Sequence, residues 1–124
     1  MPSTEPRGPR QIWRALKWSI KGLRAAWRYE ASFRLEGYLF VILFPLGLWL
    51  GRGPIEKALL CGSLLLVLSA ELLNSAIEAI VDKASPEFHE LAGRAKDMGS
   101  AAVLLLMFNV ALCWGLILSA HVAD

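Results

Sequence analysis

From Met98 to Ala120 the chain carries no charged residue. A helix needs about 20 predominantly apolar residues to cross bilayer hydrocarbon, and the backbone there must satisfy its own hydrogen bonds. The run therefore predicts a transmembrane helix at 98–120. Two further apolar stretches accompany it. One, Gly37 to Gly51, reaches spanning length when extended back through Leu35, Phe33 and Ala31. It gives a span at 31–51 with Pro45 inside, which a membrane helix tolerates. The other, 58–81, is interrupted only by Glu71 and Glu78. Gly53-Pro54 marks a tight turn between these two. Ser85-Pro86 ends the second span, because the residue before proline is biased away from helix.

Composition narrows the classes further. At 124 residues the chain is one domain, 1–124. With 56% apolar residues it is not disordered. A small soluble domain exposes much of its surface, and a surface of this composition would aggregate. An all-α integral membrane protein remains. Cys61 and Cys113 lie inside apolar runs, which predicts small buried hydrophobes rather than a disulfide framework.

Charge sets the expected orientation. Residues 1–36 carry eight Lys/Arg against three acidic residues, and no Lys or Arg follows Met98. The positive-inside rule then places the N-terminus and the 82–97 loop in the cytoplasm. The 52–57 turn and the His121–Asp124 tail face outward. No cleavable signal peptide is expected.

Residues 10–28 differ in character. Trp13, Leu16, Ile20, Leu23 and Trp27 recur at helical spacing, with Arg14, Lys17, Lys21, Arg24 and Arg28 one residue on. Such faces suit an amphipathic helix lying in the headgroup plane, anchored by tryptophan and by snorkelling basic side chains. Simple anchoring is one reading, and gripping a lipid or nucleotide is the sharper one. Residues 1–9 read as a disordered tail.

The second span holds the informative residues. Glu71, Asn74, Glu78 and Asp82 stand at i, i+3, i+7 and i+11, one face of a helix. Glu71 and Glu78 lie roughly 10 Å apart along its axis. A charged side chain in hydrocarbon costs about 2.5–3.5 kcal/mol on insertion scales, so two carboxylates and an amide on one stripe point to a site rather than to packing. The stripe rises toward the 83–97 segment, with Glu87, His89, Glu90, Arg94, Lys96 and Asp97, and Glu30 and Glu36 sit at the start of the first span. The small residues Gly99, Ser100, Ala101 and Ala102 permit close helix approach.

Carboxylates without a Cys/His cluster favour Mg²⁺ over zinc, and Mg²⁺ commonly takes one or two carboxylates plus substrate phosphates. A lysine neutralises a transferring phosphoryl group, and a separate carboxylate accepts a hydroxyl proton. This set suits phosphoryl transfer. Yet the chain contains no G-x-x-x-x-G-K-[ST] loop, kinase-type glycine loop or H-R-D triplet. Residue types alone reach a cytoplasm-facing acidic membrane site.

ELLNSAIEAIVD (Glu71 to Asp82), followed by HELAGRAKDMGSAA (His89 to Ala102), resembles the bacterial diacylglycerol kinase family. KGLRAAW (Lys21 to Trp27), with Glu30, Phe33, Arg34, Glu36 and Gly37, is similar to its Gram-negative branch. The likeness covers about Trp13 to the C-terminus. It implies an inner-membrane kinase that transfers the γ-phosphate of ATP to the primary hydroxyl of 1,2-diacylglycerol, yielding phosphatidic acid. It also implies a homotrimeric bundle with three transmembrane helices and an N-terminal surface helix per subunit, with active sites between subunits.

By position, the resemblance makes Glu71 the general base, with Asn74 supporting it. It makes Glu30 and Glu78 the ligands of the Mg²⁺ that carries ATP. Lys96 and Asp97 match nucleotide-phosphate contacts, Trp18 an aromatic position near the nucleotide, and Glu87, Phe88 and His89 the loop over it. Phe88 stands where a tyrosine is common, and Gln11 where the family has a basic residue. Ser19, Arg24, Ala25, Ala26, Trp27, Phe33, Arg34, Glu36, Trp49 and Ser100, with Glu71, match lipid-lining positions. Two other readings compete: an undecaprenol kinase, as in a Gram-positive branch, or a non-enzymatic membrane bundle relaying protons through Glu71 and Glu78. The RAAW…E…F-R-x-E run favours diacylglycerol.

Overall fold

A computed structural model describes residues 8–87 and 89–124. It consists of four helices in chain order: α1 (Pro9–Tyr29), α2 (Ala31–Leu50), α3 (Gly53–Ala84) and α4 (Glu90–Ala123), with no strand among the described residues. The last three are long and apolar enough to cross a membrane. Most of the tail expected at 1–9 lies outside the described residues, as does Phe88. Pro9 belongs to α1 instead, at a first-turn position where the missing N–H costs nothing.

Two expected connections are shorter than the sequence implied. Gly53 and Pro54 do not form the turn but open α3, and the chain reverses at Gly51 and Arg52. The 82–97 loop shrinks to 85–89: α3 continues through Ala84 and α4 begins at Glu90. Charge along these stretches hid the helices from a reading based on hydropathy. At about 1.5 Å per residue, the 32 residues of α3 extend about 48 Å, against about 30 Å of hydrocarbon. Both long helices therefore carry their charged ends beyond the apolar layer.

α3 is the central element, antiparallel to α2 and α4. The direction is fixed at both ends: Arg52 before α3 pairs with Asp124 at 2.7 Å, and Lys96 in α4 pairs with Asp82 at 2.8 Å. Near the first end His121 Nε2 also meets Glu56 Oε1 at 2.6 Å. Leu60 is fully buried, with Cys61, Leu64 and Val67 around it. Gly47 of α2 lets the backbones close there, because a Cβ would lie 3.2 Å from Cys61 Sγ and 3.4 Å from Trp114 Cζ2. Trp114 Nε1 donates to the Leu60 carbonyl at 3.1 Å, tying α4 to α3.

α1 and α2 meet at Glu30, the single non-helical residue between them, extended at φ −115° and ψ 108°. Arg34 closes this elbow by donating to the carbonyls of Trp27 (2.8 Å) and Arg28 (3.0 Å), acceptors left over at the end of α1. Trp27 stacks edge-on against Tyr38 at 5.2 Å.

Candidate active site

The polar stripe of α3 runs from Glu71 toward the α3–α4 connection. Glu71 is 6% exposed, in a helix whose other buried residues are apolar or small. Glu36 of α2, Glu78 of α3 and Glu30 at the elbow all lie close enough for their charges to act on Glu71. Four carboxylates from three stretches of chain thus converge at one end of the bundle. The same end holds Lys96, whose ammonium bonds Asp82 and also feels the charge of Glu78.

Asn74 lies between the two glutamates of the stripe. Its Nδ2 donates to Glu78 Oε1 at 3.3 Å, while its Oδ1 is buried without a partner. The amide is thus directed at Glu78 rather than Glu71. Asp82 belongs to the constellation through its bond to Lys96, although the resemblance gave it no role; its i+11 place on the stripe was the available signal.

Two cavities adjoin the carboxylates. One, of about 230 Å³, is lined by Glu36, Phe40, Leu43, Val67 and Met107 among others, an apolar slot with one acid in its lining. The other, of about 730 Å³, lies between α1 and α3 and is lined by Ser19, Ala25, Ala26, Glu30, Ser75 and Ala79 among others. Both are predominantly apolar, each with one of the carboxylates in its lining, which suits a substrate with an apolar body and a reactive head.

The remaining expected residues are distributed unevenly. Ala26 and Phe33 are buried where α1 and α2 join. Arg34 spends donors on the α1 carbonyls, and Ser19 Oγ bonds the Ala15 carbonyl at 2.9 Å. Trp18, Arg24 and Trp27 are exposed on α1. Asp97 and Ser100 are exposed on α4 beside Lys96. Glu87 is exposed, and His89 caps α4 by accepting the Leu91 N–H at 3.1 Å on Nδ1. Trp49 is not brought to the carboxylates: it is 79% exposed and lies about 20 Å along α2 from Glu36. Phe88 lies outside the described residues.

The donor set is compatible with Mg²⁺ held jointly with phosphates. Glu30 and Glu78 would offer hard oxygen ligands, and one or two carboxylates suffice when phosphate oxygens fill the rest of the shell. Among the described residues no three acidic, His or Cys side chains form a self-sufficient metal cage.

Three membrane-length helices, with carboxylates and a lysine gathered toward one end, define a small membrane protein with a polar site at the edge of its apolar bundle. Comparison with known proteins specifies the class. Residues 17–118 match the family model of prokaryotic diacylglycerol kinase. A diacylglycerol kinase of Escherichia coli (strain K12) is 48% identical over 111 residues, covering 90% of this chain and 91% of the relative. That of Haemophilus influenzae is 49% identical over 102 residues, covering 82% and 86%. That of Pseudomonas aeruginosa is 44% identical over 111 residues, covering 90% of each. The chain belongs to the prokaryotic diacylglycerol kinase family, and membership makes it a kinase rather than a passive proton-relaying bundle.

Proposed function

We propose that the chain transfers the γ-phosphate of ATP to the primary hydroxyl of 1,2-diacylglycerol, releasing ADP and phosphatidic acid. The observation that carries the residue assignment is Glu71: a carboxylate 6% exposed, with Glu36, Glu78 and Glu30 around it and Lys96 at the same end. Evolution rarely retains an ionisable group at such depth without use.

In this reading the acyl chains lie along the apolar slot beside Glu36, and the glycerol hydroxyl meets Glu71. Glu71 accepts the hydroxyl proton as the oxygen attacks the γ-phosphorus. Lys96, held by Asp82, offsets charge on the transferring phosphoryl oxygens. Glu78, oriented by Asn74, and Glu30 hold Mg²⁺ with the nucleotide; the bound ion supplies charge neutralisation to the phosphates. Asp97, Glu87, Phe88, His89 and Trp18 contact the nucleotide. Ser19, Arg24, Ala25, Ala26, Trp27, Phe33, Arg34, Trp49 and Ser100 border the lipid, with Trp49 at the chain-end side.

The enzyme sits in the bacterial inner membrane with its N-terminus and site on the cytoplasmic face, a reading supported by the Lys/Arg excess in residues 1–36. It works as a homotrimer with sites between subunits. Family membership supports this assembly, and the exposed apolar surface of α4, including Leu104, Leu105 and Phe108, suits lipid and neighbouring helices alike. The test is γ-phosphate transfer from labelled ATP in mixed micelles containing either diacylglycerol or undecaprenol. Labelled phosphatidic acid is expected, and labelling of undecaprenol alone would overturn the substrate assignment.

A further inference from the structure

We propose that Gly99 is a positioning residue for phosphoryl transfer: its missing side chain admits the Asn74 amide against α4 and thereby aims Nδ2 at Glu78. The inference rests on the kinase reading above and adds a residue to which the sequence gave only a part in close helix packing.

Gly99 is buried in α4, directly across from the stripe of α3. A Cβ built there would overlap Asn74 Oδ1, lie 3.3 Å from Asn74 Cγ and 3.5 Å from Ile77 Cδ1. The overlap is therefore with the end of one side chain, and the remaining neighbours are in ordinary or slightly tight contact. The amide's orientation is fixed independently. Glu78 presents a carboxylate, which only accepts, so the nitrogen must face it and the oxygen must face α4. That oxygen is buried with no donor. A buried unpaired acceptor costs stability, and the cost persists because the same rotamer holds the hydrogen bond to Glu78. Alanine at 99 removes the space for Oδ1, so Asn74 must swing away, breaking that bond while the helices stay in place.

The expected consequence is selective. Displacing a group that orients a ligand carboxylate by about 1 Å can cost about 10²-fold. Gly99→Ala should lower kcat/KM by at least tenfold and raise the Mg²⁺ concentration needed for half-maximal rate, with a thermal midpoint close to wild type. A purely structural glycine would leave the Mg²⁺ dependence of the surviving activity unchanged. The decisive measurement is a cycle with Asn74→Ala. If Gly99 acts through Asn74, adding Gly99→Ala to Asn74→Ala changes kcat/KM less than twofold, because coupled sites are non-additive.

Additive losses, or wild-type activity and Mg²⁺ response in Gly99→Ala, overturn the inference. If Gly99→Ala fails to assemble but the double variant assembles, the clash with Asn74 is established and the inference stands. If neither assembles, Gly99 serves backbone packing and the inference falls. Wild-type protein run alongside separates the two levels: a wild type that does not phosphorylate diacylglycerol refutes the functional reading, whereas an active wild type with an active Gly99→Ala refutes this step alone.

Discussion

Glu71→Gln is the perturbation that separates chemistry from architecture most cleanly. The substitution keeps the shape of the side chain and removes its charge. Glu71 is 6% exposed, and burial is the largest influence disfavouring its charged form. A charged residue at a helix centre costs about 2.5–3.5 kcal/mol on insertion scales, whereas a buried amide lacking full compensation costs about 1–3 kcal/mol. The net gain on replacing one by the other is on the order of 1 kcal/mol. Relief of repulsion from Glu36, Glu78 and Glu30 acts in the same direction. The variant should therefore be as stable as wild type or more so. Its kcat should fall by about 10²-fold or more, the scale of losing a general base. The assay pairs kcat in diacylglycerol micelles with thermal unfolding of the same preparation. Stabilisation by MgATP checks that the nucleotide site survives, and it should reach about 2.7 kcal/mol at a hundredfold excess over Kd. A variant retaining more than half of wild-type kcat refutes the base assignment. An inactive variant that unfolds more readily refutes the claim that this buried charge is a stability cost kept for catalysis.

Three further outcomes follow from the same geometry. Glu78→Gln should weaken activity and shift the Mg²⁺ titration to higher concentration while assembly is retained; a normal titration with normal turnover would remove Glu78 from the metal site. Lys96→Met should lower kcat by about 10²–10³-fold, or about 2.7–4 kcal/mol in the barrier, with ATP binding changed much less; undiminished turnover would exclude the role. Trp114→Phe loses the 3.1 Å bond to the Leu60 carbonyl at the end of the bundle remote from the carboxylates. Hydrogen bonds between membrane helices average about 0.6 kcal/mol, so unfolding should shift by about that much with kcat unchanged, and a large loss of activity would contradict the separation of the two ends.

Much of this was legible in the sequence for a physical reason: hydrocarbon imposes a sharp rule on composition. The uncharged run from Met98 to Ala120 admits one reading, and the i, i+3, i+7 spacing of Glu71, Asn74 and Glu78 places them on one face without coordinates. The rule loses force at the membrane edge. Charged residues there are neutral to helix formation, so hydropathy stopped the third span at Met98 although the helix begins at Glu90. Tertiary pairings were also hidden. Arg34 reads as a lipid-facing cation in the sequence, yet it reaches back seven residues to the Trp27 carbonyl. Gly99 reads as one small residue among several, and only the position of Asn74 across from it distinguishes it from Ala101 and Ala102. Neither signal has a period, because each depends on where a second helix happens to pass.

The Arg34 clamp makes the angle and height of α1 relative to the first span a fixed quantity. A helix floating among headgroups sets its own depth by the balance of its tryptophans and basic side chains. With an unrestrained linker that depth would be irrelevant to a residue further along. Here one extended residue and one guanidinium join α1 to the first span, so with α1 lying among the headgroups Glu30 at the joint would ride at a level set by the lipid–water boundary. A diacylglycerol hydroxyl finds its level by the same boundary. Substrate and carboxylate would then be referenced to a common plane, whatever the thickness of the hydrocarbon beneath it.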